Sequence, residues 1–302
     1  MERAGSLSLD RDTEHLAHHL GHGGEHHHLT GALVLTLVFA LVELLAGLWS
    51  GSLALISDSG HMLTDSTALA LAAFAAWLAR KPPSGRHTYG LVRAEVLAAL
   101  VNALLMLALI SIIGYEAWQR IAEPRPVDGG VVAAVASVGL LVNLGVAWQL
   151  SRGERTLNTR AALMHVLGDI LGSVAALGAG LVITFTGWTP IDPLLSLLVA
   201  GLILVSALGL LIEAMHVLLE AVPEHIDIEA VSADLGGIDA VLSVHDLHIW
   251  TLSSGQVAMS AHLDVRGLDD WPRILDAARA VLHERYRIGH VTLQPEEAHH
   301  ET

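Results

Sequence analysis

Two stretches of the chain place a histidine and an aspartate four residues apart inside apolar runs. SGHMLTDSTALAL holds His61 and Asp65, and ALMHVLGDILGSV holds His165 and Asp169. At helical spacing, residues i and i+4 share one face, a turn apart. Ionisable side chains at membrane depth are costly, and are kept where they face a bundle interior in pairs or at a functional site. One such pair alone could be an ordinary interhelical hydrogen bond. Two identical spacings on separate apolar segments argue for a shared site instead. Brought together, they supply two imidazoles and two carboxylates, four ligands of the kind zinc takes tetrahedrally. The two carboxylates would also compensate a dication, which a neutral cavity of low dielectric could not do. The chain has no cysteine, so any metal must be held by nitrogen and oxygen.

The elements that must position these residues are legible in composition. Of the 302 residues, 53% are hydrophobic and only 16% charged, far fewer charges than a soluble domain carries. Six apolar runs near 30–50, 53–79, 91–119, 129–150, 157–186 and 191–218 are each long enough to cross ~30 Å of hydrocarbon as a helix. The link between the second and third holds Arg80, Lys81, Arg86 and Arg93, and that between the fourth and fifth holds Arg152, Arg155 and Arg160. Positive residues mark the cytoplasmic side, so both termini are expected in the cytoplasm. The N-terminus lacks the basic-then-apolar pattern of a signal peptide, and an inner (plasma) membrane location is expected. No nucleic-acid partner is expected.

After the last apolar run the pattern changes. VPEHIDIEAVSADLGG reads as a capped helix. AVLSVHDLHIWTLSSGQVAMSAHLDV reads as two strands around a Ser-Ser-Gly-Gln turn. DDWPRILDAARAVLHERY reads as an amphipathic helix with proline at its start, and IGHVTLQ as a third strand. The expected architecture is therefore a bundle of six transmembrane helices followed by a small α+β domain of αββαβ order. The expected divisions are a disordered His-rich N-terminus over 1–28, a transmembrane domain over 29–218, a cytoplasmic domain over 219–296 and a tail over 297–302. The N-terminus carries seven histidines from His15 to His28, interspersed with glycine and acid, a pattern suited to loose metal capture. Glu43, Asn102, Asn143 and Glu213 lie inside apolar runs, where interhelical hydrogen bonding or, for Glu43, a cavity wall is expected. Asp58 is read as a cap of the second helix.

The chain resembles the cation diffusion facilitators, a family of zinc-transporting membrane proteins. The resemblance rests on SLALISDSGHMLTDS, RKPPSGRHTYGLVRAEVLAALVN, HVLGDILGS, and VHDLHIW followed by SAHLDV, and covers nearly the whole chain. It implies a transport site at His61, Asp65, His165 and Asp169. It also implies a homodimer that exchanges cytoplasmic Zn²⁺ for protons, and a ferredoxin-like C-terminal domain that dimerises and binds further zinc. The zinc ligands implied there are His245, His262 and a side chain in LQPEE, Gln294 or Glu296, of which Glu296 is taken. His248, three residues from His245, is expected on the opposite face of its strand. Some members hold another metal between the second and third helices, but KPPSGRHTYG offers only His87 and no nearby carboxylate. An ionic contact at the junction of membrane and cytoplasm is implied at Arg93 and Glu220. Members with aspartate at the position of His61 carry cadmium as well as zinc.

With what the resemblance implies, the reading is a zinc/proton antiporter. Metal binding needs neutral imidazoles and ionised carboxylates, so loading displaces protons and protonation ejects metal. A membrane metalloenzyme would need an open metal position and a general base, but the paired motifs fill four positions and no HExxH occurs. A metal sensor that moves nothing is the other alternative, and zinc movement against a pH step separates the two.

Overall fold

A computed structural model describes residues 36–152, 157–253 and 255–297, without the side chains of 157–162, 164 and 165. The His-rich segment, the start of the first apolar run, Arg155, Arg160, Ser254 and the end of the tail fall outside the described residues or side chains.

Among the described residues, six apolar helices come first. The described part of α1 is Thr36–Ser50. It is followed by α2 (Leu53–Ala79), α3 (Ala94–Ala122), α4 (Gly129–Arg152), α5 (Leu157–Thr186) and α6 (Ile191–Leu218). The last five are long and apolar enough to cross a membrane. Their outward positions carry large apolar side chains, among them Leu45, Ile112, Leu141, Leu171 and Val205. Such a surface suits hydrocarbon rather than water. Exposed tryptophans sit near the ends of helices: Trp49, Trp77, Trp118 and Trp148 within the last five residues of α1 to α4, and Trp188 just after α5. Tryptophan prefers the membrane–water interface. Lys81 lies 4.0 Å above the Trp77 ring and the Arg152 guanidinium 3.9 Å above that of Trp148. The cations at the ends of α2 and α4 are therefore fixed to interfacial rings.

The described chain divides into two compact units, one of residues up to 67 with 106–205, the other of 68–105 with 206 onward. In the first, α1 passes to α2 through Gly51, whose φ of +73° suits glycine. The start of α2 is held by a buried carboxylate from α6. Asp192 Oδ2 accepts the Leu53 N–H at 2.6 Å, and its Oδ1 accepts the Ala54 N–H at 3.3 Å and the Ser52 hydroxyl at 2.6 Å. Ser52 Oγ accepts the Leu55 N–H at 3.3 Å. A negative group at a helix N-terminus meets both its free N–H groups and its dipole. Asp58 therefore does not cap α2, contrary to the sequence expectation. The helix already starts at Leu53, and Asp58 lies buried within it.

In the same unit α4 and α5 touch backbone to backbone. A Cβ on Gly129 would lie 2.6 Å from the Gly180 oxygen, and one on Gly180 would lie 2.5 Å from the Ala133 nitrogen. Small residues at facing positions let membrane helices approach this closely. Asn143 donates to Ser173 Oγ at 3.1 Å across the same pair, the interhelical role expected for it.

In the second unit, α7 (Ile228–Gly236) leads into β1 (Val241–Ser253) and β2 (Gln256–Val265). A short 3-10 turn and α8 (Trp271–Tyr286) then lead to β3 (His290–Glu297). The αββαβ order is as expected. Asp227 caps α7 by accepting the N–H groups of Glu229 at 3.0 Å and Ala230 at 3.3 Å. β1 pairs antiparallel with β2 through the short turn, and β2 pairs parallel with β3, the crossover that α8 supplies. Alternate residues Val257, Met259, Ala261, Leu263 and Val265 bury one face of the sheet. Ile274, Ala278 and Leu282, at i, i+4 and i+8 of α8, join the same core with Val231 and Leu235 of α7. The opposite face is left for polar residues.

Candidate metal centres

In the membrane unit, α2 carries His61 and Asp65 and α5 carries Asp169. His61 Nε2 lies 3.5 Å from Asp65 Oδ2 and 3.8 Å from Asp169 Oδ1. These side chains are largely buried, at 16%, 21% and 13% exposure. Donors bound tetrahedrally to one zinc at about 2.0–2.2 Å stand roughly 3.3–3.6 Å from one another. Each of the two separations from the His61 nitrogen is close to that between ligands of one ion. His165 lies one turn before Asp169 on α5, and its side chain is not among those described.

Two further acids of this unit lie close by. Asp58, one turn before His61 on α2, faces Gly172 of α5, where a Cβ would stand 3.0 Å from Asp58 Oδ1. Glu43 of α1 is fully buried. It fits against Gly139 of α4, where a Cβ would meet its Oε1 at 3.1 Å and the Phe39 ring at 2.8 Å. The sequence reading missed Asp58 as part of this interior, although Asp58, His61 and Asp65 have the 3-and-4 spacing of one helical face. Glu213 differs from expectation: it is exposed on α6 rather than buried in the bundle. Asn102 is buried.

The second centre lies on the polar face of the sheet. His245, His262 and Glu296 each offer a ligand atom, all within 4.8 Å of one another. His262 Nδ1 lies 2.8 Å and His245 Nε2 3.5 Å from the two oxygens of Glu296. The pairings explain the cluster. His245 stands opposite His262 across the antiparallel ladder, while Glu296 pairs with Asp264 on the next strand and its side chain reaches between the imidazoles. Asp264 Oδ1 lies 3.6 Å from His245 Nε2. Gln294, the alternative to Glu296, instead donates to Glu296 Oε1 at 3.0 Å.

His248 is a correction. It was expected opposite His245, yet it pairs with Ser260 while His245 pairs with His262, so both histidines lie on one face. Asp246 and Leu247 together oppose Ala261, and Asp246 has φ of +48°. This β-bulge inserts one residue and restores the period, an effect that spacing alone cannot reveal. His87 stays outside the cluster, near Ser84 Oγ at 3.4 Å. Arg93 and Glu220 form the implied ion pair at 2.8 Å.

A multi-pass helical membrane domain with an appended three-stranded α+β domain is the class of protein these features define. Residues 29–219 match the family described as the cation efflux transmembrane domain, and residues 223–298 the cation efflux protein cytoplasmic domain. The chain belongs to the cation efflux family, whose members are transporters rather than enzymes. It is 43% identical over 285 residues to the zinc transporter ZitB of Escherichia coli (strain K12), covering 93% of this chain and 91% of that protein. It is 37% identical over 293 residues to a cadmium, cobalt and zinc/H(+)-K(+) antiporter of Bacillus subtilis (strain 168), covering 94% and 93%. A solved structure, the metal-bound C-terminal domain of the CzcD transporter from Cuprividus metallidurans, is similar at 30% identity. It covers 24% of this chain and 99% of that chain, with a TM-score of 0.23.

Proposed function

We propose that the protein is a zinc/proton antiporter. It takes Zn²⁺ from the cytoplasm at His61, Asp65, His165 and Asp169 and releases it across the membrane in exchange for protons. The observation that carries this reading is the approach of His61 to carboxylates from two different helices, at 3.5 and 3.8 Å. Two helices that both contribute ligands can open the site to either side by rocking, the alternating-access arrangement. The same ligand atoms hold either metal or protons, which couples the two flows. The names of the relatives from Escherichia coli and Bacillus subtilis support zinc as cargo and proton exchange as its counterpart.

The cytoplasmic domain would hold a further zinc at His245, His262 and Glu296, and the donor set fits: two imidazoles and a carboxylate on three adjacent strands. Such an ion would cross-link the strands of the domain through which two chains form a homodimer. We place both termini in the cytoplasm and the protein in the inner (plasma) membrane. The division of labour is a His-rich N-terminus over 1–28, a transmembrane domain over 29–218, a metal-binding dimerisation domain over 219–296 and a tail over 297–302.

The test uses purified protein in sealed vesicles with an imposed pH step. Zinc uptake driven by the step, with proton movement in the opposite direction, is expected. Zinc binding with no flux at any pH step would overturn the reading in favour of a metal sensor.

A further inference from the structure

We propose that Glu43 is a proton-carrying carboxyl, distinct from the metal ligands, whose protonation is linked to occupancy of the intramembrane site. The inference rests on the reading of His61, Asp65, His165 and Asp169 as that site.

Glu43 has no exposed surface. Neither of its carboxyl oxygens has a hydrogen-bond partner among the described residues. Gly139 leaves just enough room for the carboxyl against the α4 backbone, and Phe39 closes the same space. The groups that face it differ by helix. α2 presents Asp58 and α5 presents Asp169, both near enough to repel a charge on it. α4 presents Gly139, and its buried Asn143 is engaged with Ser173. An ionised carboxylate without hydrogen bonds, in an apolar interior and facing two other acids, is strongly disfavoured. The proposed metal-free form is therefore the neutral acid, with its proton on a carboxyl oxygen.

A dication held by Asp169 reverses the field that reaches Glu43. Metal then favours loss of the Glu43 proton, and the proton in turn disfavours metal. This reciprocity is required of any two linked binding events. The balance is simple: Zn²⁺ enters the site, the O–H bond of Glu43 breaks, its electron pair stays as carboxylate and the proton goes to solvent. Proton counting therefore includes a group that never touches the metal.

The test is calorimetric titration of the full-length protein with Zn²⁺ in buffers of different ionisation enthalpy, which reads protons released per zinc. Glu43→Gln, the shape of the neutral acid without its proton, is expected to bind zinc while releasing fewer protons than wild type. Glu43→Asp is expected to restore part of the release. Protons from the cytoplasmic centre are common to all three proteins and cancel. Equal release by wild type and Glu43→Gln overturns the inference. A second measurement needs no variant. Infrared difference spectra of wild type, zinc-loaded minus zinc-free, are expected to show loss of a protonated-carboxyl C=O band, and its absence also overturns the inference. Failure of the underlying site reads separately, because Asp169→Ala would then bind as much zinc as wild type.

Discussion

Asp169 and His61 face each other from different helices, and each can be tested alone. Asp169→Ala removes one proposed ligand and one compensating charge while deleting a polar group from an apolar helix, so insertion should be unharmed. Zinc flux in vesicles is expected to fall by more than the roughly 10–100-fold that loss of an outer-shell partner costs. Wild-type flux in that variant would remove it from the site. His61→Asp replaces an imidazole by a shorter, charged oxygen ligand, which widens the cavity and suits a larger ion. The ratio of Cd²⁺ to Zn²⁺ flux is expected to rise above that of wild type at matched expression and pH. An unchanged ratio would show that His61 does not set selectivity. These residues were legible because the HxxxD spacing occurs twice where charge is costly. Asp58 and Glu43 were harder to place. A single acid in an apolar run reads equally as a cap, a packing contact or a proton site until its neighbours are known.

Helix starts and strand faces carry their own consequences. The Asp227 carboxyl is held below the usual carboxylate range, first by the Ala230 N–H and then by its contacts with Glu229. A lowered folded-state value stabilises the fold above the ordinary carboxylate range, and that contribution is lost as pH falls through the lowered value. Asp227→Asn is therefore expected to reduce the dependence of stability on acid while leaving the neutral and basic limbs parallel to wild type. Thermal unfolding followed across pH checks this. Gly180→Ala places a methyl against the α4 backbone, where neither helix can yield locally. Overpacking of this kind costs about 1–3 kcal/mol, and the variant is expected to unfold at lower temperature in detergent. Spacing identified α2, α5 and α6 almost residue for residue, because long apolar runs end sharply at charge or proline. It misplaced the face of His248, because a one-residue bulge leaves no mark in the hydrophobic pattern. It also missed Asp192 as the cap of α2, since the two are far apart in sequence.

For the molecule as a whole, composition already separated a membrane protein from a soluble one, and the change of pattern after α6 separated the α+β domain. The N-terminal segment is legible only as composition, seven histidines interspersed with glycine and acid from His15 to His28. Deleting residues 2–28 is accordingly expected to weaken zinc capture at low concentration while leaving flux at saturating zinc close to wild type. Vesicle flux measured across a zinc series distinguishes the two effects, and complete loss at saturation would give the segment an obligatory role.

The glycine contact between α4 and α5 also constrains the mechanics of a cycle. Where two backbones meet without intervening side chains, no deformable layer exists in which one rod can slide along the other. The pair must swing as a single lever, carrying Asp169 with it, and the change in geometry must fall elsewhere. Because the chain has no native cysteine, thiols introduced at Leu141 and Leu181 would be the sole attachment points for spin labels. Their separation should hold constant through loading and release.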